Sequence, residues 1–389
     1  MDKIKLIRIA FVAMVFLVST GLSYLFFSKS GIASNLASPL TPQVKIVGDK
    51  IAFDQTLPKT QPCPLNGALY SKQQESWWKK HAPLGVMIEN HEKARPQSGL
   101  SFSDIVYEAI AEGGITRFLA IYYCQDASEV GPIRSARTYF LDFISEYGQY
   151  PLYAHVGGAN QPGPADALSQ INSYGWGAYN DMNQFSIGFP TFWRDYDRLG
   201  HPAQTEHTMY STTDKLWEFA KTRGITDSND IEGDKWDIDF EQYSFKDDAP
   251  LAKRPASQTL HIEPWEGHKE YATDWVYDRT TNLYKRNNGS PQIDRNTNKQ
   301  LTSKNIVLLS MVETSANDGY EDNAHLLYRT KGTGKATIFM DGVKTTGTWR
   351  KDSRTARTLI FDASGAPIKF DRGTIWFHIL PTDAVVTVK

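Results

Sequence analysis

The chain has 389 residues, 42 Lys and Arg against 44 Asp and Glu, and a formal net charge of -2. That balance excludes the strong basic excess of a dedicated nucleic-acid binder. With 40% hydrophobic and 22% charged residues the chain has an ordinary globular composition, long enough for two domains that each bury a core.

The first expected element is an anchor. Lys3, Lys5 and Arg8 precede an apolar run over residues 9–27 whose polar members are Ser19, Thr20, Ser23 and Tyr24. About 19 residues make a helix of roughly 28 Å, which matches a hydrocarbon core. A cleaved signal has a shorter apolar region, about 7–15 residues. Residues 1–28 therefore read as a cytoplasmic tip and an uncleaved transmembrane signal anchor, with cleavage near Gly31-Ile32-Ala33 as the competing reading. The cations in front place the bulk of the chain outside the cytoplasm. No cysteine follows the run closely enough for lipid attachment. Residues 29–62, with Ser38-Pro39-Leu40-Thr41-Pro42, read as an extracytoplasmic linker carrying one short strand over 44–53.

Residues 84–88 suit a buried strand. Residues 102–112 read as a helix, with Ser101 as N-cap, Asp104 three residues on, apolar Ile105, Ala109 and Ile110, and Gly113-Gly114 as the stop. Residues 116–123 are a β-branched and aromatic strand. Ser135 is placed as the cap of a helix running through Ile144. Residues 152–156 form a strand ending at Gly157-Gly158, and Thr212 or Thr213 caps an amphipathic helix through Leu216, Phe219 and Ala220. This alternation predicts an α/β domain over residues 63–225. Residues 226–257 connect it to a β-rich domain over 258–389. There, nine short strands are separated by turns such as Asn288-Gly289 and Asp341-Gly342. The expected fold class is α+β: an α/β domain, then a β-rich domain, preceded by one transmembrane helix. Ten Trp and 12% aromatic residues fit aromatic strands in a β-rich core better than a dedicated carbohydrate surface.

Cys63 and Cys124 are the only cysteines. Without a Cys-x-x-Cys pair a thiolate zinc site is not expected. Whether the two are joined or free stays open, since sequence does not give their Cα separation.

Long stretches resemble the YerB family. They include Cys63-Pro64-Leu65-Asn66-Gly67, Val86-Met87-Ile88-Glu89-Asn90-His91 and Ala94-Arg95-Pro96-Gln97-Ser98-Gly99-Leu100. Others are Asp104-Ile105-Val106-Tyr107-Glu108-Ala109, Glu112-Gly113-Gly114-Ile115-Thr116-Arg117-Phe118 and Val130-Gly131-Pro132-Ile133-Arg134-Ser135-Ala136-Arg137. Tyr153-Ala154-His155-Val156-Gly157-Gly158, Tyr284-Lys285-Arg286, Gly347-Thr348-Trp349 and Gly373-Thr374-Ile375-Trp376 continue the likeness to the C-terminus. The resemblance implies a bacterial envelope protein, often a lipoprotein, with an N-terminal and a C-terminal domain that have no assigned function. The chain departs from the pattern in lacking a lipidation cysteine. It also departs in its segment His201-Pro202-Ala203-Gln204-Thr205-Glu206-His207, which leaves His207 without an assigned role.

Polar residues with chemical promise cluster between Glu89 and His207. Arg134 and Arg137 are three apart at an expected helix start, where free N–H groups favour anions. Arg117 opens one strand and Arg95 follows another, near strand ends where α/β sheets bind ligands. The expected ligand site is Arg95, Arg117, Arg134 and Arg137 with His155, Glu89 and Asn90. The competing reading pairs these arginines with Asp104, Glu108, Glu112 and Asp142 as structural ion pairs. His155 is either a general acid/base or a hydrogen-bonded core residue. No helical His-x-x-x-His pair is present, so no metal is expected, and no cofactor motif is found. The functional expectation is an anionic cell-wall or lipid-linked ligand, or an envelope protein partner. The alternative is a transferase or hydrolase acting on phosphorylated or acidic glycans. It rests on a loose, fold-level analogy to the LytR-CpsA-Psr transferases.

Overall fold

Ile105–Ile110 is Ile-Val-Tyr-Glu-Ala-Ile, and all six side chains are buried. A segment covered on both faces needs no alternation of polar and apolar residues. Its β-branched members then favour a strand, and a strand is what forms. The helix expected over 102–112 is thus corrected. Only single 3-10 turns flank the strand, at Leu100–Phe102 and Glu112–Gly114. Apolar spacings of four, such as Ile105 to Ala109, fit a helix face and a fully buried strand equally well.

The computed structural model describes residues 14, 18, 19, 45–47 and 50–389. The expected anchor over 1–28, apart from residues 14, 18 and 19, lies outside the described residues, as does the linker up to residue 44. Among the described residues no helix is long and apolar enough to cross a membrane. The strand expected over 44–53 is a small hairpin, Lys45–Val47 against Lys50–Ala52.

Ten strands make the main sheet. In chain order they are β1 (Leu84–Glu89), β2 (Ile105–Ile110), β3 (Thr116–Tyr122), β4 (Leu152–His155), β5 (Asp181–Asn183), β6 (Asn305–Met311), β7 (Gly332–Met340), β8 (Val343–Lys351), β9 (Leu359–Asp362) and β10 (Ile375–Pro381). Their spatial order is β5-β4-β1-β3-β2-β10-β6-β7-β8-β9. The N-terminal half supplies the first five positions and the C-terminal half the rest. The seam is β2 beside β10, parallel, with Tyr107 opposite Phe377 and Glu108 opposite His378. β10 is buried at every residue and lies at the centre of the sheet, between β2 and β6. A second, antiparallel sheet carries Thr259–Glu263, Thr273–Asp278, Leu283–Asn288 and Val385–Val388. The protein is thus mixed α+β and rich in strands, with few helices.

Within residues 50–389 the α-helices are short: α1 (Lys72–Trp78), α2 (Thr138–Ile144), α3 (Ala167–Ser173), α4 (Gln184–Ile187) and α5 (Thr213–Thr222). α1 starts in a capping box, Ser71 with Gln74. α5 is capped by Thr212, whose hydroxyl accepts the Lys215 N–H. α2 begins at Thr138 with Arg137 as its N-cap, two residues later than expected. The backbone before it is engaged elsewhere. Arg134 donates to the Met87 carbonyl and Ala136 to that of Gly157, which holds residues 134–136 extended beside the sheet.

Candidate functional site

The ends of β1 and β3 set the site. Their antiparallel register puts Glu89 opposite Arg117, so both side chains rise from one face of the sheet. The extended segment before α2 crosses this end and delivers two more arginines. Arg134 is fixed by its N–H to Met87 and by its carbonyl, which accepts the Val156 N–H. Arg137 sits at the N-cap of α2, and its side chain makes no cap bond. It donates instead to Glu112, through Nε and through Nη2 at 2.7 Å.

Two carboxylates, the buried Glu89 and the part-buried Glu112, divide the arginines. Glu112 takes Arg137 and also Arg117, whose Nη2 is 3.0 Å away. Glu89 accepts from Arg134 Nε at 3.1 Å on one oxygen and lies 2.8 Å from His207 Nδ1 on the other. His207 stacks on His91 at 4.9 Å between centroids. Arg117 is 7% exposed, and its Nε and Nη1 have no partner among the described residues. Three guanidiniums against two carboxylates leave the strand ends positive, before His207 is counted.

Burial pushes the Glu89 carboxyl up, but the His207 bond and the Arg134 charge outweigh it and hold the group below its usual value. At Glu112 burial again opposes ionisation, and Arg117 with Arg137 brings the carboxyl from 4.5 down to about 2. Burial and Arg137 lower Arg117 to about 10. Burial lowers Arg137 too, but the two-pronged bond to Glu112 outweighs that and its net direction is up. Both arginines stay charged at neutral pH, so Glu112 carries the pH linkage. A depressed carboxyl contributes stability that is complete above its unfolded value and is lost as pH falls through the folded one. The window here is about pH 4.5 down to 2, and a shift of that size corresponds to ~3 kcal/mol. Unfolding free energy, followed by urea titration across this window, should fall more steeply in the wild type than in Glu112→Gln. Equal slopes would remove this linkage.

Beside this ionic layer opens a cleft of about 470 Å³. That volume is within the usual range for small-molecule pockets, about 300–1,000 Å³. Arg134 lines it, as do Arg194 of the strand Trp193–Arg194 and the exposed Glu206. Arg194 Nη1 donates to the Thr205 carbonyl at 2.5 Å and to Thr208 Oγ1 at 3.1 Å. Arg134 uses only Nε and Arg194 only Nη1 in hydrogen bonds to described residues. Both therefore keep donors for a ligand.

The expected site residues separate into four places. Arg134, backed by Glu89, faces the cleft. Arg117 and Arg137 do not line it and are clamped on Glu112. Arg95 and Asn90 belong to the contact with the C-terminal half. Asn90 Oδ1 accepts from Arg95 Nε, Gln97 and Gln292, at 3.2, 3.0 and 3.1 Å. Arg95 also lines another cavity of about 250 Å³ beside Gln292. His155 is fully buried, 2.5 Å from Asp181 and 2.7 Å from the Gly157 carbonyl, as a hydrogen-bonded core histidine is. Arg194 was not singled out by sequence. It lies in a two-residue strand and gave no local motif. Among the described residues one His/Cys/Asp/Glu group has metal-like spacing, Cys63, Asp104 and Cys124. Its two sulfurs are joined as a disulfide, so they offer no thiolates.

Comparison with known proteins gives one consistent result. Residues 68–226 match the N-terminal domain, and residues 263–377 the C-terminal domain, of the protein family of unknown function DUF3048. YerB of Bacillus subtilis (strain 168), whose name describes it as a candidate lipoprotein, is 30% identical over 333 residues. The alignment covers 83% of this chain and 87% of that one. The crystal structure of the Bacillus subtilis YerB protein superposes with a TM-score of 0.67 at 26% identity, over 84% of this chain and all of that one.

Proposed function

The chain belongs to the YerB-like DUF3048 family, and from that premise we propose that it is a membrane-held envelope protein that binds an anionic envelope ligand through Arg134 and Arg194. The observation that carries this reading is the pair of guanidiniums on one open cleft, each with N–H donors to spare. Charge-assisted bonds from such donors are the strong ones in anion recognition. Arg117 and Arg137 do not line the cleft and add positive potential without competing for the ligand. The candidate-lipoprotein name of the relative supports attachment to a membrane. In this chain the apolar run over residues 9–27 would serve that purpose, with the folded part outside the cytoplasm.

The test is calorimetric titration of the detergent-purified full chain with inorganic phosphate, alongside native mass spectrometry for co-purified anionic lipid or glycan. Each lost charge-assisted bond is worth about 1.5–3 kcal/mol, so Arg134→Ala/Arg194→Ala should weaken binding roughly 100-fold or more. Undiminished binding in that variant would place the ligand elsewhere. A co-purified glycan recovered in cleaved or transferred form would move the protein to the transferase or hydrolase reading.

A further inference from the structure

The cleft is lined by apolar side chains as well as charged ones. Phe185, on α4, is 73% exposed and lines the cleft together with Val156 and Leu168. Its position is set, although its ring is bare. Asn183 Oδ1 accepts the Phe185 N–H at 3.2 Å and the Gly157 N–H at 3.0 Å, which ties α4 to the end of β4. Gly157 has φ +56, and a Cβ built there would lie 3.0 Å from Phe185 Cε2. The ring therefore rests against the glycine, with its other face open. An aromatic ring that lines a cleft offers an apolar face to a bound ligand. The cleft is also lined by the neutral polar residues Ser135, Asn160 and Thr205.

We infer that the cleft takes an acidic pyranose, with the C–H face of the sugar on Phe185 and its carboxylate or phosphate on Arg134 and Arg194. This rests on the anion-binding reading and adds the identity of the rest of the ligand. An acyl chain would leave Ser135, Asn160 and Thr205 without partners against hydrocarbon, at a desolvation cost. The hydroxyls of a sugar satisfy them. The exposed Glu206 can accept from a hydroxyl as well.

The experiment uses the detergent-purified full chain and titrates wild type, Phe185→Ala, Phe189→Ala and Arg134→Ala/Arg194→Ala. The probes are glucuronic acid, glucose 6-phosphate, glucose and inorganic phosphate, with phosphatidylglycerol vesicles as a separate arm. Phe189, 84% exposed on the same segment, does not line the cleft and serves as the control. At least one acidic sugar should bind more tightly than both glucose and phosphate, and the preferred one distinguishes carboxylate from phosphate. Phe185→Ala should weaken acidic-sugar binding about 5- to 10-fold, a contact of about 1–1.4 kcal/mol. Phosphate affinity should stay within about twofold, and Phe189→Ala should bind as wild type. If phosphate binds but Phe185→Ala changes nothing, the sugar inference fails and the anion reading stands. If neither phosphate nor an acidic sugar binds the wild type, both fail. Vesicle binding lost equally in Phe185→Ala and Phe189→Ala, without sugar binding, would make the ring a membrane contact and overturn the inference.

Discussion

Arg286→Met is expected to cost about 3–5 kcal/mol of folding stability, because it strands a buried carboxylate. Arg286 is 0% exposed and grips Glu108 with two parallel bonds of 2.9 and 2.8 Å. Its guanidinium lies 4.8 Å from the Trp376 ring centroid, 5.3 Å from that of Trp275 and 5.4 Å from that of Phe118. Trp376 donates to Glu108 as well, at 2.8 Å. Trp275 donates to His378 Nε2 at 2.9 Å, so the proton of that ring sits on Nδ1, which faces Glu108 at 3.3 Å. Burial lowers His378 to about 4, which keeps it neutral at physiological pH. Arg286 is therefore the full positive charge bonded to Glu108. Burial pushes the Glu108 carboxyl up, Arg286 and His378 outweigh it, and its net direction is down. Removing Arg286 alone leaves that charge unpaired, whereas Glu108→Gln/Arg286→Met removes both charges and should recover most of the loss. Urea unfolding of the two single variants and the double gives the coupling. A double variant no better than Arg286→Met would show that Arg286 acts through its aromatic box rather than through Glu108.

The residues that make this pair are 178 positions apart, and nothing in the sequence joins them. The sequence did mark Tyr284-Lys285-Arg286 and Glu108 separately, as parts of motifs shared with a family. In the C-terminal half, strands were legible because each is short and bounded by turn residues. At Asp341-Gly342, both residues take positive φ, 55° and 72°, between β7 and β8. That is what a two-residue hairpin turn between twisted strands requires. At β2 the signal fails. It is buried on both faces, so alternation vanishes and spacing alone cannot choose strand over helix. The arginines were legible as a group but not as separate roles. Glu112, named in advance as a structural partner, does hold Arg117 and Arg137. Arg134 faces the cleft because residues 134–136 hydrogen-bond to Met87 and Gly157, and helix capping at Ser135 could not reveal that. Arg194 and Phe185 reach the same cleft from short segments whose place depends wholly on tertiary packing.

The disulfide carries the other large effect. Cys63 and Cys124 are joined, with Cα atoms 5.9 Å apart and 61 positions between them in sequence. Closing a loop of that length in the unfolded chain is worth about 4 kcal/mol in the chain-entropy account. Both residues are fully buried, and the bond ties the 63–67 turn to the chain just after β3. There the Asn66 carbonyl accepts the Gly373 N–H at 2.9 Å, and Phe245 fills the space beside Gly67, where a Cβ would lie 2.3 Å from the ring. Asp104 lies below the bond, 3.6 Å from Cys63 Sγ. Burial raises its carboxyl to about 7, against the N–H bonds it accepts from Cys124, Tyr123 and Asn66. Cys63→Ser/Cys124→Ser should therefore unfold at lower urea, by an amount equivalent to about 4 kcal/mol. The wild type should lose a similar amount when fully reduced. A protein that depends on this bond needs an oxidising compartment, which agrees with a folded part outside the cytoplasm. Mass spectrometry of thiol-labelled protein from intact cells tests that directly. Two free thiols in cells, or a loss below about 1 kcal/mol in the double variant, would separate the fold from the compartment argument.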